Sequence, residues 1–191
     1  MEITESLKTE HRILEKILGA MDSLVEALQR NYDVSVELIR EIADLVKEYG
    51  DQYHNYKEES LLFPFISELG ANGLKASIQK FSEEHSINRG YYRSILKGSE
   101  KLAAGDASGK KIVIDAAKSY SSALRRHIQR EDRGLFPAIE KRLKESQKRR
   151  LWEMLEEYED SRLGQPDLDA FEARARQLII RISDVLSGIR V

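Results

Sequence analysis

The chain has 191 residues, 34% of them charged and 41% hydrophobic, with a formal net charge of −2. That length makes one domain with a sizeable core the starting expectation, and charges of both signs mixed along the chain favour neither nucleic acid nor an anionic membrane as partner. There is no cysteine, which excludes disulfides, thiolate catalysis, iron–sulfur clusters and cysteine-type zinc sites. In chain order, the first segment carries Leu7, His11, Leu14, Leu18, Met21, Val25 and Leu28, a stripe with the helical period. Thr4 is its expected N-cap and the stretch Asn31 to Asp33 its expected stop. A second helix is expected from Asp33 or Val34, with Ile39, Ala43, Val46, Gly50, His54, Glu58 and Leu61 on its inward face. Pro64 should break or kink it, because proline lacks the N–H that a helix interior needs. The Gly-Ala-Asn-Gly stretch at 70–73 reads as a loop. The third helix shows Leu74, Ile78, Phe81, His85, Asn88, Tyr92 and Ile95, and Gly-Asp-Ala-Ser-Gly at 105–109 ends it. The fourth shows Val113, Ala117, Tyr120, Leu124, His127 and Glu131, with Pro137 closing the pattern.

Four long amphipathic helices with short links predict an all-α fold, an antiparallel four-helix bundle over residues 1–143. Residues 144–191 predict two additional C-terminal helices. One carries Leu151, Met154, Leu155 and Tyr158; the other carries Leu168, Phe171, Ala175, Leu178, Ile182 and Leu186, and Gly164 and Pro166 separate them. Their apolar faces need a partner, either the bundle itself or a second subunit in a homodimer.

The four histidines fall in a repeated register. His85 lies 74 residues after His11, and His127 lies 73 after His54. His11 and His85 each follow a glutamate. His54 and His127 open the motifs H-N-Y-K-E-E-S-L-L-F-P at 54–64 and H-I-Q-R-E-D-R-G-L-F-P at 127–137. Each histidine sits on an apolar stripe, and Glu58 and Glu131 sit one turn after His54 and His127 on the same face. Buried carboxylates are costly unless paired or metal-bound. Four imidazoles and two carboxylates aimed at one centre suit two metal ions, each with two histidines and both carboxylates bridging. Nitrogen and oxygen donors without sulfur suit iron or manganese, and imidazole also suits zinc.

These motifs resemble the hemerythrin-like, or HHE cation-binding, family. The resemblance rests on E-H at 10–11 and 84–85 and on the two longer motifs, and it covers roughly residues 5–143. The segment E-E-Y-E-D-S-R-L-G at 156–164 is similar to the C-terminal extension of prokaryotic members. The resemblance implies two iron ions in a non-haem di-iron centre, joined by an oxo or hydroxo bridge. His11 and His54 would hold one iron, His85 and His127 the other, and Glu58 and Glu131 would bridge. Oxygen carriers of the family have a fifth histidine one turn after the third-helix histidine, where this chain has Arg89, which stays protonated and cannot ligate. That departure points away from reversible O₂ carriage and towards a protein that senses or reacts with O₂, NO or peroxide. An iron-storage or iron-delivery protein without turnover, and a bundle stapled by a structural metal, are the readings of other classes. The reductase is not identified, and catalytic turnover is left open.

The neighbouring polar residues read more plainly. Glu10 and Glu84 are expected on solvated helix surfaces, with hydrogen bonding beside the metals as the alternative. Arg89 is read first as a surface residue rather than as a partner of a carboxylate. Asp132 competes with Glu131 for the bridging role, and Glu131 is preferred because its i+4 spacing mirrors that of Glu58. Tyr53, Tyr56, Tyr91, Tyr92 and Tyr120 are assigned to packing, the two Leu-Phe-Pro turns to a hydrophobic plug, and Lys148 to Arg150 to a solvated face. No signal-peptide or membrane-span pattern is present, so a cytoplasmic location is expected.

Overall fold

The computed structural model describes residues 3–70, 73–161 and 168–187. Helix α1 spans Glu5–Gln29 and buries Leu7, Leu14, Leu18, Met21 and Leu28, as its stripe requires. Thr4 stands at its N-cap position without a side-chain cap; its hydroxyl instead bonds Glu140 at 3.2 Å. Asn31 ends the helix in the left-handed region (φ 61°), with Tyr32 N–H returning to the Ala27 carbonyl at 3.0 Å. Asparagine is one of the few non-glycine residues that tolerate that conformation.

Helix α2 starts at Val36, two to three residues later than the pattern suggested. Ser35 accepts the Leu38 N–H at 3.2 Å and so fixes the cap. The helix comprises Val36–Leu45, two stretches with the wider i→i+5 hydrogen bonding at Val46–Asn55 and Glu58–Leu62, and a final α-helical piece, Phe63–Glu68. Pro64 therefore does not break it. A wide turn just ahead accommodates the missing donor and the ring, and helical structure continues beyond. The same device precedes Pro137 in α4, which comprises Ser108–Arg130, a wide turn at Glu131–Leu135, and Phe136–Arg142. The wide turn also shifts the stripe of α2. Leu62 is fully buried, whereas Leu61, placed inward by a strict 3.6-residue period, is only half-buried.

Helix α3 spans Lys75–Ala103 and is closed by Gly105 at φ 80°. It pairs with α4 most intimately where Gly98 meets Gly109. A Cβ on Gly98 would come within 2.9 Å of the Gly109 carbonyl oxygen, so only glycine permits this approach. In the 70–73 loop, Gly70 has φ 68°, while residues 71 and 72 lie outside the described residues.

Two further helices, α5 at Glu145–Ser161 and α6 at Leu168–Leu186, cover the bundle of their own chain. Phe171, Ala175, Leu178 and Ile182 of α6 join the larger apolar cluster with residues of α1 and α2, and ion pairs Lys16–Glu172, Glu48–Arg174 and Glu41–Arg181 flank the contact. Leu151 and Leu155 of α5 join the smaller cluster with Leu7, Leu62, Phe63 and Phe136. Each such leucine contributes roughly 1.5–3 kcal/mol by burial. In this chain both faces pack on the bundle, while the expected break at Gly164 and Pro166 falls outside the described residues. The architecture is all-α, a four-helix bundle with two extra helices, and no helix of the described residues is long and apolar enough to cross a membrane.

The two apolar clusters are separated along the bundle by the layer that holds the four histidines. His11 lies between Leu7 and Leu14, and His85 between Phe81 and Tyr92, the first of each pair in the smaller cluster and the second in the larger. The polar layer is a slice across the bundle, sealed at both ends.

Candidate metal centre

All six residues singled out by spacing are buried and meet in that slice. His11 and His54 face each other with Nε2 atoms 3.0 Å apart, and so do His85 and His127. Glu58 and Glu131 stand between the two pairs. Glu58 lies 3.8 Å from His54 Nε2 and 3.3 Å from His85 Nε2; Glu131 lies 3.4 Å from His11 Nε2 and 3.0 Å from His127 Nε2. The donors thus fall into two overlapping groups, His11–His54–Glu58–Glu131 and His85–His127–Glu58–Glu131, within which the donor atoms lie inside 4.8 Å of one another.

The far side of every imidazole is held by a carboxylate. His11 Nδ1 meets Asp132 at 2.7 Å, His54 Nδ1 meets Glu10 at 2.8 Å, His85 Nδ1 meets Glu59 at 2.7 Å, and His127 Nδ1 meets Glu84 at 3.0 Å. This corrects the surface placement expected for Glu10, which is buried, and for Glu84, which also binds Arg130. It also separates Glu131 from Asp132: the first faces the ring nitrogens at the centre, the second holds a ring from behind. Arg89 is likewise no idle surface residue. It grips Asp51 at 2.6 Å and Glu59 at 2.7 Å, and so steadies the carboxylate that steadies His85. Of the tyrosines, Tyr92 donates to Asp51 at 3.2 Å and Tyr53 accepts from Lys57 at 2.9 Å. Lys148, in the supposed solvated cluster, pairs with Glu140 at 3.2 Å.

The Leu-Phe-Pro turns close the slice. Phe63 stacks parallel to His85 (6.2 Å between centroids, 11°) and Phe136 parallel to His11 (5.5 Å, 12°), while Phe81 meets His127 edge-on at 5.1 Å. Each Leu-Phe-Pro turn thereby covers a histidine of another helix.

Three observations fit a pair of cations to these donors. Both oxygens of Glu58 and of Glu131 are buried without a hydrogen bond; the Nε2 atoms approach them, but none is aligned as a donor. Burying such carboxylates is costly without a compensating charge. Next, a Nδ1–H donated to a carboxylate leaves Nε2 with its lone pair inward. Two inward lone pairs 3.0 Å apart repel unless a cation lies between them. Finally, 3.0 Å is about the spacing of two adjacent ligands each about 2.1 Å from one ion at a right angle.

Electrostatics agree in sign. Burial alone would push the His11 imidazolium down, but the hydrogen bond to Asp132 and the nearby negative charge of Glu131 outweigh it and raise it to about 9; burial likewise lowers His127, and Glu131 and Glu84 raise it to about 10. Burial would raise Glu59 and Glu84, yet His85 with Arg89, and His127 with Arg130, hold them down at about 2. A site that draws protons onto its imidazoles this strongly draws metal cations by the same field.

Residues 2–139 match the family model described as the Hemerythrin HHE cation binding domain. The chain belongs to this family. Among curated relatives it is similar to the uncharacterized protein Mb2018 of Mycobacterium bovis and the uncharacterized protein Rv1995 of Mycobacterium tuberculosis. Each is 23% identical over 187 residues, which is 98% of this chain and 70% of the relative's length. No solved structure matches the chain. The family and the buried His/Glu groups together support metal binding, with iron the metal that fits the family.

Proposed function

We propose that the protein is a non-haem di-iron protein that reacts with, or senses, a small oxidant or diatomic ligand: O₂, NO or peroxide. His11 and His54 would hold one iron and His85 and His127 the other, with Glu58 and Glu131 available to both. The observation that carries this reading is the pair of buried glutamates, each shared by both donor groups with every carboxylate oxygen left without a hydrogen bond. When bound, the irons supply the redox chemistry and the ligand-binding positions.

The chain's own residues define the rest. Glu10, Glu59, Glu84 and Asp132 fix the orientation of each imidazole with Nε2 facing inward, so the donor geometry is set before loading. Leu62, Phe63, Leu135 and Phe136 exclude water from one side and the larger apolar cluster excludes it from the other. Arg89 stands where an oxygen carrier has a ligating histidine; it stays protonated, is held by Glu59 and Asp51, and offers the His85 half no nitrogen donor. That half then has fewer nitrogens than a carrier's, which supports a role in reaction or sensing over reversible carriage.

The test is metal analysis of the purified protein joined to absorption spectra in the reduced state and after O₂, NO and peroxide. Two irons per chain, with a near-ultraviolet band that changes with each added ligand, are expected. Stoichiometric zinc with no such band would overturn the proposal in favour of a structural metal. Iron that passes to a chelator without any spectral response to the three ligands would favour storage.

A further inference from the structure

Lysine is almost never fully buried unless its charge is matched. Lys57 is 0% exposed, one residue from a proposed bridging carboxylate. Its ammonium has three N–H donors, and the three contacts it makes account for all of them. They go to Glu10 at 2.6 Å, to the Tyr53 hydroxyl at 2.9 Å and to Glu159 of α5. The other oxygen of Glu10 accepts from His54 Nδ1. A continuous chain therefore runs from α5 through Lys57 and Glu10 to one imidazole of the centre. The end of α5 is seated there by a second contact, Tyr158 stacked on Tyr56 at 4.9 Å and 18°.

The other repeat shows what is special about this chain of contacts. Arg130 occupies the position of Lys57, three residues after its histidine. It binds Glu84 and its own helix carbonyl at Arg126, and its side chain is 41% exposed. No residue of α5 or α6 enters its hydrogen bonds among the described residues. The C-terminal helices lie beyond the stretch matched by the family model, yet one of them supplies an acceptor at one half of the site.

We infer that Glu159 is a positioning residue of the metal centre, acting through Lys57 and Glu10 on His54, so that α5 governs retention of the ion held by His11 and His54 and leaves its neighbour alone. The inference rests on the two-metal reading above. Carboxylates that orient a ligating histidine typically change metal affinity 10- to 100-fold when removed. Acting two links away, Glu159 should have an effect nearer three- to tenfold.

The full chain would be loaded anaerobically with two equivalents of ferrous iron, and release to a chelator followed by absorbance. Wild type should retain two ions. Glu159→Gln should speed release of one ion by roughly three- to tenfold and leave the other within twofold. In a Lys57→Met background the same substitution should do nothing further, because the link is already cut. Glu172→Gln, which breaks only the α6 pair with Lys16, should alter neither ion. A readout without metal is the ring ¹⁵N spectrum, in which Glu159→Gln should move His54 and leave His127 in place. Equal acceleration of both ions, an undiminished effect in the Lys57→Met background, or an unmoved His54 resonance would overturn the inference while wild-type loading still stood. Wild type that bound fewer than two ions would overturn the two-metal reading and this inference with it.

Discussion

The two halves of the site share their donors and differ in what surrounds them. In the half of His11 and His54, the carboxylate behind His54 is buried and answered by a fully buried lysine under α5. In the half of His85 and His127, the carboxylate behind His127 is answered by an arginine at the surface. The repeat keeps the candidate donors and the carboxylates behind them, and diverges in the cations that answer those carboxylates. A duplicated sequence therefore implies two similar binding positions without implying equal retention or equal access.

The sharpest way to break this comparison is at the residues common to both halves. Glu58→Ala or Glu131→Ala should cost both irons, since each glutamate belongs to both donor groups; iron stoichiometry near zero is the expected result, and near two would refute the bridging role. His54→Ala and His127→Ala should each cost chiefly one iron, and an equal loss of both in either variant would show that the halves do not load separately. The supports come next. Lys57→Met leaves Glu10 buried without its cation and should destabilise by about 3 kcal/mol, whereas Arg130→Met removes a half-exposed pair worth about 0–1 kcal/mol. Denaturant unfolding of the metal-free protein measures both, and equal costs would erase the contrast. The same contacts can also be probed by pH. His11 and His127, at about 9 and about 10 in the folded chain against an ordinary 6.5, contribute stability that is complete below pH 6.5 and lost as pH rises through those values. Glu59 and Glu84, at about 2 against 4.5, contribute stability present above pH 4.5 and lost as pH falls towards 2. The metal-free protein should therefore melt highest between pH 4.5 and 6.5. Its Tm should fall on each side by at least roughly 2–4 °C, the shift about 1 kcal/mol gives at this size. A melting temperature flat from pH 3 to pH 10 would contradict it.

Much of this was legible in the residues. The helices, the inward histidines and the i+4 glutamates follow from periodicity, which reports how one helix faces its core. The supports escaped because they act between helices. Glu10 precedes His11 yet holds His54, and Asp132 follows Glu131 yet holds His11. A residue next to an inward ligand lies about 100° round its helix and so addresses a neighbouring helix rather than the centre. The signal was nonetheless present. Carboxylates recur at all four such places, Glu10 with Glu84 and Glu59 with Asp132, and a repeat that keeps a carboxylate beside each inward ligand marks them as partners. Leu61 was misplaced for a different reason: a strict 3.6-residue period cannot register a wide turn.

Those wide turns have a consequence for insertions and deletions. Ahead of each Leu-Phe-Pro, the backbone holds about one residue more per turn than an α-helix would. Removing a single residue between Glu58 and Phe63 would let that turn tighten to ordinary α-helical winding and absorb the loss, leaving His54, Glu58 and Phe63 on the faces they occupy now. The same deletion within Ser108–Arg130 meets no slack and would rotate everything beyond it by about 100°. Each wide turn is thus a stretch of ligand helix where a one-residue gap moves neither the donors nor their aromatic cover.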